Sequence, residues 1–237
     1  MSAPSISVLL PIIATEPWQV HMTRCAINTM IDTTKINFEL NVVETVSQQI
    51  AFHQMSDYYI GRDYPVKFNY LHRPERTSQV LDLNAGLDMC NGDFIVYTGN
   101  DVFMRPDWLE ALLECFEFPD CGIACLGMSE LGHKPEERIT EGFSGPLMMF
   151  KREWRFDEAF PEVFIDADLC MRVYKSGLRS YRNYRVVVQH LLSQTSAAID
   201  DAPTRKRRFD EGRAAFIARH RDSPLMMYRY LAEGHVI

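Results

Sequence analysis

Residues 91–113 read NGDFIVYTGNDVFMRPDWLEALL, and the fold turns on how this stretch is parsed. Asn91-Gly92 is a turn pair. Phe94-Ile95-Val96-Tyr97 is an apolar run too short for a helix and rich in β-formers, which predicts a buried strand. The run stops at Thr98-Gly99-Asn100-Asp101. Pro106 then opens a new element, with Trp108, Leu109, Leu112 and Leu113 at helical spacing and Asp107 and Glu110 in the first turn. Asp101 therefore stands at the C-terminal tip of a buried strand, the edge where open α/β sheets bind ligands. A carboxylate there can hold a divalent cation against phosphate oxygens. It can equally close a turn, and these residues alone leave both readings open.

Working outward, residues 5–13 (SISVLLPII) form a buried-strand pattern, residues 18–30 a helix, and residues 38–43 (FELNVV) a second buried strand with Glu44 at its end. This is a βαβ unit, expected to be parallel and right-handed. Residues 44–63 predict a helix and a loop, and residues 66–71 a third strand. Residues 78–89 predict a helix whose Asn84-Ala85-Gly86 runs against helix propensity, so packing or a ligand must account for it. Beyond the central stretch, residues 121–128 predict a strand, 129–141 a polar loop, and 143–150 a strand broken at Gly145-Pro146. Residues 164–178 predict a helix with Asp166 and Asp168 in its first turn and Gly177 as its C-cap. Residues 182–190 predict a last strand with His190 at its tip. The remainder is helical and charged, including Thr204-Arg205-Lys206-Arg207-Arg208.

Composition bounds the reading. The chain has 237 residues, 46% hydrophobic and 24% charged, enough for one good core with a small appendage. A formal charge of -7 argues against coating nucleic acid by bulk electrostatics. Of the six cysteines only Cys121 and Cys125 are close, as C-x-x-x-C without a matching second pair, which is a weak zinc signal. Neither a disulfide framework nor a membrane span is expected, and the expected location is the cytoplasm. A single domain is expected over residues 1–200, divided into a nucleotide-binding half (1–105) and an acceptor half (106–200). Residues 201–237 are expected as a helical C-terminal extension.

In order and spacing these segments resemble the GT-A glycosyltransferases of family 2, the inverting kind. SISVLLP resembles the opening strand, although Ile12-Ile13-Ala14 replaces the usual Thr-Tyr-Asn. FELNVVE resembles the second strand, with Glu44 where an Asp usually contacts the nucleoside base. LDLNAGLDMCNGDFIVYTGND resembles the stretch ending in the Asp-x-Asp motif, of which Gly99-Asn100-Asp101 keeps the last carboxylate. GFSGPLMMFKREW resembles the strand that closes over the donor sugar. FDEAFPEVFIDADLCMRVYKSGL resembles the Phe-Asp-Glu turn followed by Glu-Asp-x-Asp-Leu-x-x-Arg, with Ile165 in place of Glu, and RVVVQH resembles the last strand with its His.

The resemblance implies an α/β fold of GT-A (Rossmann-like) type: a mostly parallel central sheet flanked by helices, with a mixed C-terminal acceptor half. It also implies metal-dependent, inverting transfer from a nucleotide-sugar donor, with UDP the common nucleotide, to a hydroxyl acceptor. Asp101 and His190 would share one Mn²⁺ or Mg²⁺, which neutralises charge on the departing diphosphate. Asp166 would be the general base. Asp168, two positions on, should point away from it and pair with Arg172 at i,i+4. Glu44, Arg73 and Asp82 would hold base and ribose, with Asn84 near the nucleotide. Pro11 and Asn100 complete the donor-binding set, and Gly145 fits close approach to the sugar or a strand irregularity. A nucleotidyltransferase is disfavoured because no Gly-rich basic loop follows the first strand. A non-catalytic nucleotide-sugar binder remains open, given the missing first Asp and Ile165. The basic run 204–208 reads as a solvated helix face or as a contact to DNA, a phospholipid or an acidic glycan; the acceptor is left open among a glycan, a lipid-linked glycan and a nucleic acid, so a glycosyltransferase acting on nucleic acid also remains open.

Overall fold

Parallel pairing starts where the apolar runs are longest. The computed structural model describes residues 4–45, 66–75, 77–143, 145–191 and 200–223. Strand β1 (Ile6–Ile12) pairs in parallel with β2 (Glu39–Thr45) on one side and β4 (Phe94–Thr98) on the other, and β3 (Lys67–Arg73) extends the sheet beyond β2. Helices α1 (Pro17–Asp32) and α2 (Gln79–Met89) supply the crossovers. The predicted helix of residues 44–63 falls almost wholly outside the described residues.

The second half mixes directions. Strand β6 (Cys121–Met128) pairs antiparallel with β8 (Leu147–Lys151), which pairs antiparallel with β4. Strand β9 (Arg179–His190) runs parallel to β6, and the two-residue β5 (Val102–Phe103) pairs antiparallel with its tip. Among the described residues the order is β3-β2-β1-β4-β8-β6-β9-β5, with β7 (Ile139–Glu141) also on β9. Strands β5 and β7 were not expected; at two and three residues they show no periodicity to read.

Side chains of β1 alternate between two cores. Val8, Leu10 and Ile12 face Ile27 and Met30 of α1 and the buried Trp108 of α3 (Trp108–Cys115). Leu9 faces the other way, toward Leu83 of α2, Leu169 of α4 (Ile165–Lys175) and Phe216 of α5 (Ala202–His220). The C-terminal helix thus contributes to the second core. Helix α3 begins at Trp108, not at Pro106. Asp107 precedes it in left-handed backbone (φ 62°), its N–H bound to the Thr33 carbonyl at 2.9 Å. Gly86 answers the propensity conflict in α2: an added Cβ would lie 2.3 Å from Leu9 Cδ1 and 2.7 Å from Val43 Cγ2, so helix and sheet close only over glycine. The six cysteines are free thiols. Cys121 and Cys125 are buried, their thiols hydrogen-bonded to backbone carbonyls of Ile123 and of Phe143 and Tyr181, and burial pushes the Cys121 thiol up to about 12, as suits core residues. No described helix is long and apolar enough to cross a membrane.

One ion cluster closes the start of the sheet. Glu39 accepts from Ser7 Oγ (2.6 Å), Asn91 N (2.7 Å) and Lys67 Nζ (3.2 Å). Burial pushes its pKa up, but these donors outweigh burial and hold it at about 2 against an ordinary 4.5. Because the folded value lies below the unfolded one, this stabilisation is complete above about pH 5 and is lost as pH falls toward about 2. Allowing for solvent screening it is worth about 1–2 kcal/mol. Glu39→Gln is therefore expected to flatten the pH dependence of urea unfolding over that acid range; an unchanged slope would exclude the effect.

Candidate active site

The pairing of β5 with β9 sets Val102 opposite His190 and so brings the Asp101 loop to the β9 tip. Leu191 N–H donates to the Asp101 carbonyl at 3.0 Å, locking the two chains together one residue beyond the strand. His190 Nε2 then lies 3.4 Å from Asp101 Oδ1. On its other side His190 Nδ1 lies 3.1 Å from Glu130 Oε1, and Glu130 Oε2 accepts the His190 backbone N–H at 3.3 Å. Burial lowers the imidazole pKa, but the hydrogen bond and charge of Asp101, with those of Glu130, outweigh it and hold the pKa above its ordinary value.

Asp101, His190 and Asp166 line one cleft of about 770 Å³. Pro11, Asp82, Asn100 and Gly145 line it too, so seven of the predicted site residues converge from β1, α2, the β4–β5 turn, the approach to β8, α4 and β9. Asp166 sits in the first turn of α4, behind Phe164, which takes the left-handed conformation (φ 63°). Burial raises its carboxyl pKa, partly offset by the backbone N–H groups of Ala167 and Asp166 itself. Tyr97 stands nearby on β4. Burial first, then the charges of Asp166 and Asp101, push its phenol pKa upward, so it stays neutral on the cleft wall.

Asp168 points the other way, as its spacing predicts. It is fully buried and accepts from Arg172 Nε at 2.6 Å. Asn100 lines the cleft, while its amide Nδ2 donates to Thr23 Oγ1 at 3.0 Å and pins the turn to α1. At Gly145 an added Cβ would meet, among the described residues, only Met128 Cε, at 3.7 Å, so none of them requires glycine there.

Three predicted donor-binding residues are not on the cleft wall. Glu44 lies inside β2, not past its end, in register between Ile12 and His72; it is fully buried, with His72 Nδ1 at 3.9 Å, and the next residue, Thr45, reaches the cleft instead. Strand alternation explains the exchange. Arg73 stands behind the wall, its Nε 2.8 Å from Asp82 Oδ1. Asn84 clamps the Phe156 turn: its Nδ2 donates to the Phe156 carbonyl (3.0 Å) and its Oδ1 accepts the Phe156 N–H (3.2 Å). That clamp supplies the reason for an asparagine within α2.

Besides Thr45 and Tyr97, two further contributors were missed. Glu130 follows β6 in a one-turn 3-10 helix (Ser129–Leu131) and gains its place only when β9 arrives. Helix α5 lays Ala202, Arg205, Lys206 and Phe209 along the cleft at i, i+3, i+4 and i+7, a stripe visible in the sequence but read there as solvated helix or nucleic-acid contact. Lys206 and Arg207 also make i,i+4 pairs with Asp210 and Glu211, at 2.5 and 3.7 Å.

The family model for glycosyl transferase family 2 matches residues 21–171, nearly two thirds of the chain. The chain belongs to that family. This family 2 glycosyltransferase shares its fold with PcManGT, a mannosyltransferase from Pyrobaculum calidifontis solved with GDP-Man and Mn²⁺: TM-score 0.71, 17% identity, covering 98% of this chain and 71% of that one. It is also similar to GalNAc-T7 with UDP, GalNAc and Mn²⁺ (TM-score 0.67, 11% identity, 79% of this chain and 44% of that one). A third is S. aureus TarS 1–349 in complex with UDP-GlcNAc (TM-score 0.65, 12% identity, 96% and 70%). At these identities the likeness is one of fold. No curated protein sequence matches the family 2 chain significantly.

Among the described residues no group of three or more His, Cys, Asp or Glu is arranged to hold a metal ion unaided. The Asp101–His190 pair nonetheless fits a divalent cation. One carboxylate and one imidazole nitrogen converge at 3.4 Å, and with Glu130 holding Nδ1 the imidazole, on giving up its Nε2 proton, would turn the Nε2 lone pair to a cation beside Asp101. Diphosphate oxygens and water would complete such a shell.

Proposed function

We propose that the protein is a divalent-metal-dependent, inverting glycosyltransferase moving a sugar from a nucleotide-sugar donor to a hydroxyl acceptor. The observation that supports it is the convergence of Asp101, His190 and Asp166 on one cleft at the C-terminal edge of the parallel strands. Asp101 and His190 would hold Mn²⁺ or Mg²⁺, which when bound supplies charge neutralisation for the departing diphosphate. Pro11, Thr45, Asp82 and Asn100 would border the nucleoside, with Arg73 fixing the Asp82 carboxylate from behind. Gly145 and Pro146 would face the sugar.

Asp166 would accept the proton of the acceptor hydroxyl as its oxygen bonds to the anomeric carbon. The bond from that carbon to the diphosphate oxygen breaks on the opposite face, and the configuration inverts. Its burial favours this role, since a carboxylate with a raised pKa binds the transferred proton more firmly. The neutral Tyr97 phenol is suited to donate to an oxygen lying between the two acids. Apolar Val163, Phe164, Ile165 and Phe209 line the cleft with Asp166 and would help exclude water from the reacting centre.

A thermal-shift series with UDP- and GDP-sugars, with and without Mn²⁺, tests the reading. A matching donor at about 100 times its Kd contributes about 2.7 kcal/mol of apparent stability. The expected result is a metal-dependent rise in Tm for one nucleotide class, with slow release of free sugar from the same donor. A rise without sugar release would favour the non-catalytic binder; no rise with any donor would remove the proposal.

A further inference from the structure

The C-terminal helix α5 presses on the beginning of α4, the turn that carries Asp166. At Gly212 an added Cβ would fall 2.3 Å from Val163 Cγ2 and 3.1 Å from Phe164 Cδ2, so α5 reaches that turn only through glycine. Phe209 and Phe216 flank the Phe164 ring, with centroids 5.2 and 5.5 Å away. One residue after Phe164, α4 begins, and Asp166 enters the cleft.

The polar anchor of this contact is His220, 1% exposed at the end of α5. Its Nε2 lies 2.9 Å from Oδ1 of the fully buried Asp168, and its Nδ1 lies 3.0 Å from Lys175 Nζ. An ammonium only donates, so Nδ1 must accept and Nε2 must carry the proton that Asp168 receives. The imidazole is thus neutral and in one tautomer, threaded between the first and last turns of α4. Arg172 Nε (2.6 Å) and Arg219 Nε (3.5 Å) hold the remaining sides of Asp168, and Arg172 Nη2 also donates to the Arg155 carbonyl at 2.7 Å.

We infer that His220 is a positioning residue for transfer: bound through Asp168, it and α5 fix the orientation in which α4 presents Asp166 to the acceptor hydroxyl. His220 does not line the cleft. The inference rests on the reading of Asp166 as the base.

The test compares His220→Leu with His220→Gln in the full chain, at a temperature well below the Tm of each. Glutamine carries one acceptor and one donor for the same two partners, Oε1 for Lys175 and Nε2 for Asp168; leucine carries neither. His220→Leu is expected to lower kcat by about tenfold or more with the donor KM unchanged, because small misplacements of a reacting group are costly in rate. His220→Gln is expected to restore kcat. Equal kcat in all three proteins would overturn the inference, as would a kcat loss that glutamine does not rescue. If His220→Leu does not fold, Gly212→Ala displaces the same helix from Val163, and the same loss in kcat alone is expected; unchanged kcat there counts equally against it. Asp166→Asn, measured alongside, separates the two readings. Full turnover in Asp166→Asn removes the base assignment, whereas an inactive Asp166→Asn beside a normal His220→Leu removes only the role of His220.

Discussion

Asp166→Asn is expected to fold normally, bind donor normally and lose kcat by about 10²–10⁴-fold, the usual contribution of a positioned general base. Asparagine keeps the shape of the side chain but cannot accept the acceptor's proton. Fold and donor binding should survive because among the described residues the buried ion pairs of α4 belong to Asp168, which faces the second core with Arg172 and His220. The wild-type pH profile supplies an independent check. Burial raises the Asp166 pKa above the ordinary 3.8, and a base works only when deprotonated, so kcat should fall as pH drops through a value above 3.8. A variant with normal turnover, or an acid limb at or below that value, would take Asp166 out of the mechanism.

The second large effect concerns the Asp101–His190 pair. Asp101→Ala and His190→Gln are each expected to lower kcat/KM by about 10³-fold, the scale of the several kcal/mol that a metal ion supplies to transition-state charge. The sharper signature is the loss of metal response. Chelation should abolish wild-type activity, and Mn²⁺ should restore it, while the residual activity of either variant should hardly change. Isothermal titration of the donor nucleotide should likewise lose its dependence on Mn²⁺. Glutamine is chosen at position 190 because an alanine would strand the largely buried Glu130 carboxylate, 3.1 Å from Nδ1, and confuse a site effect with a folding defect. Full activity and intact metal response in both variants would refute the shared cation.

These assignments were not equally legible beforehand. Asp101 and His190 stand out because each ends an apolar run, and strand ends are visible in composition. Asp166 stands out because it opens a helix whose apolar positions are already committed. Glu44 misled for a local reason: β2 continues through Thr45, so the carboxylate read as terminal is interior, and alternation hands the cleft to its neighbour. Asn84 misled differently. A polar residue that resists its helix signals a tertiary contact but does not say with what, and the contact proves to be the Phe156 backbone.

The amino-acid sequence by itself determined the longer strands, their parallel first half, the family resemblance and the three side chains around which the chemistry is proposed. Each depends on periodicity or spacing along the chain. Only the tertiary structure decided that Glu130 orients His190, that two residues of β5 join Asp101 to His190, and that α5 walls the cleft and packs on α4 through His220. Those contacts link residues dozens of positions apart. Their partners are selected by how packed elements meet in space, and local sequence carries no record of that meeting.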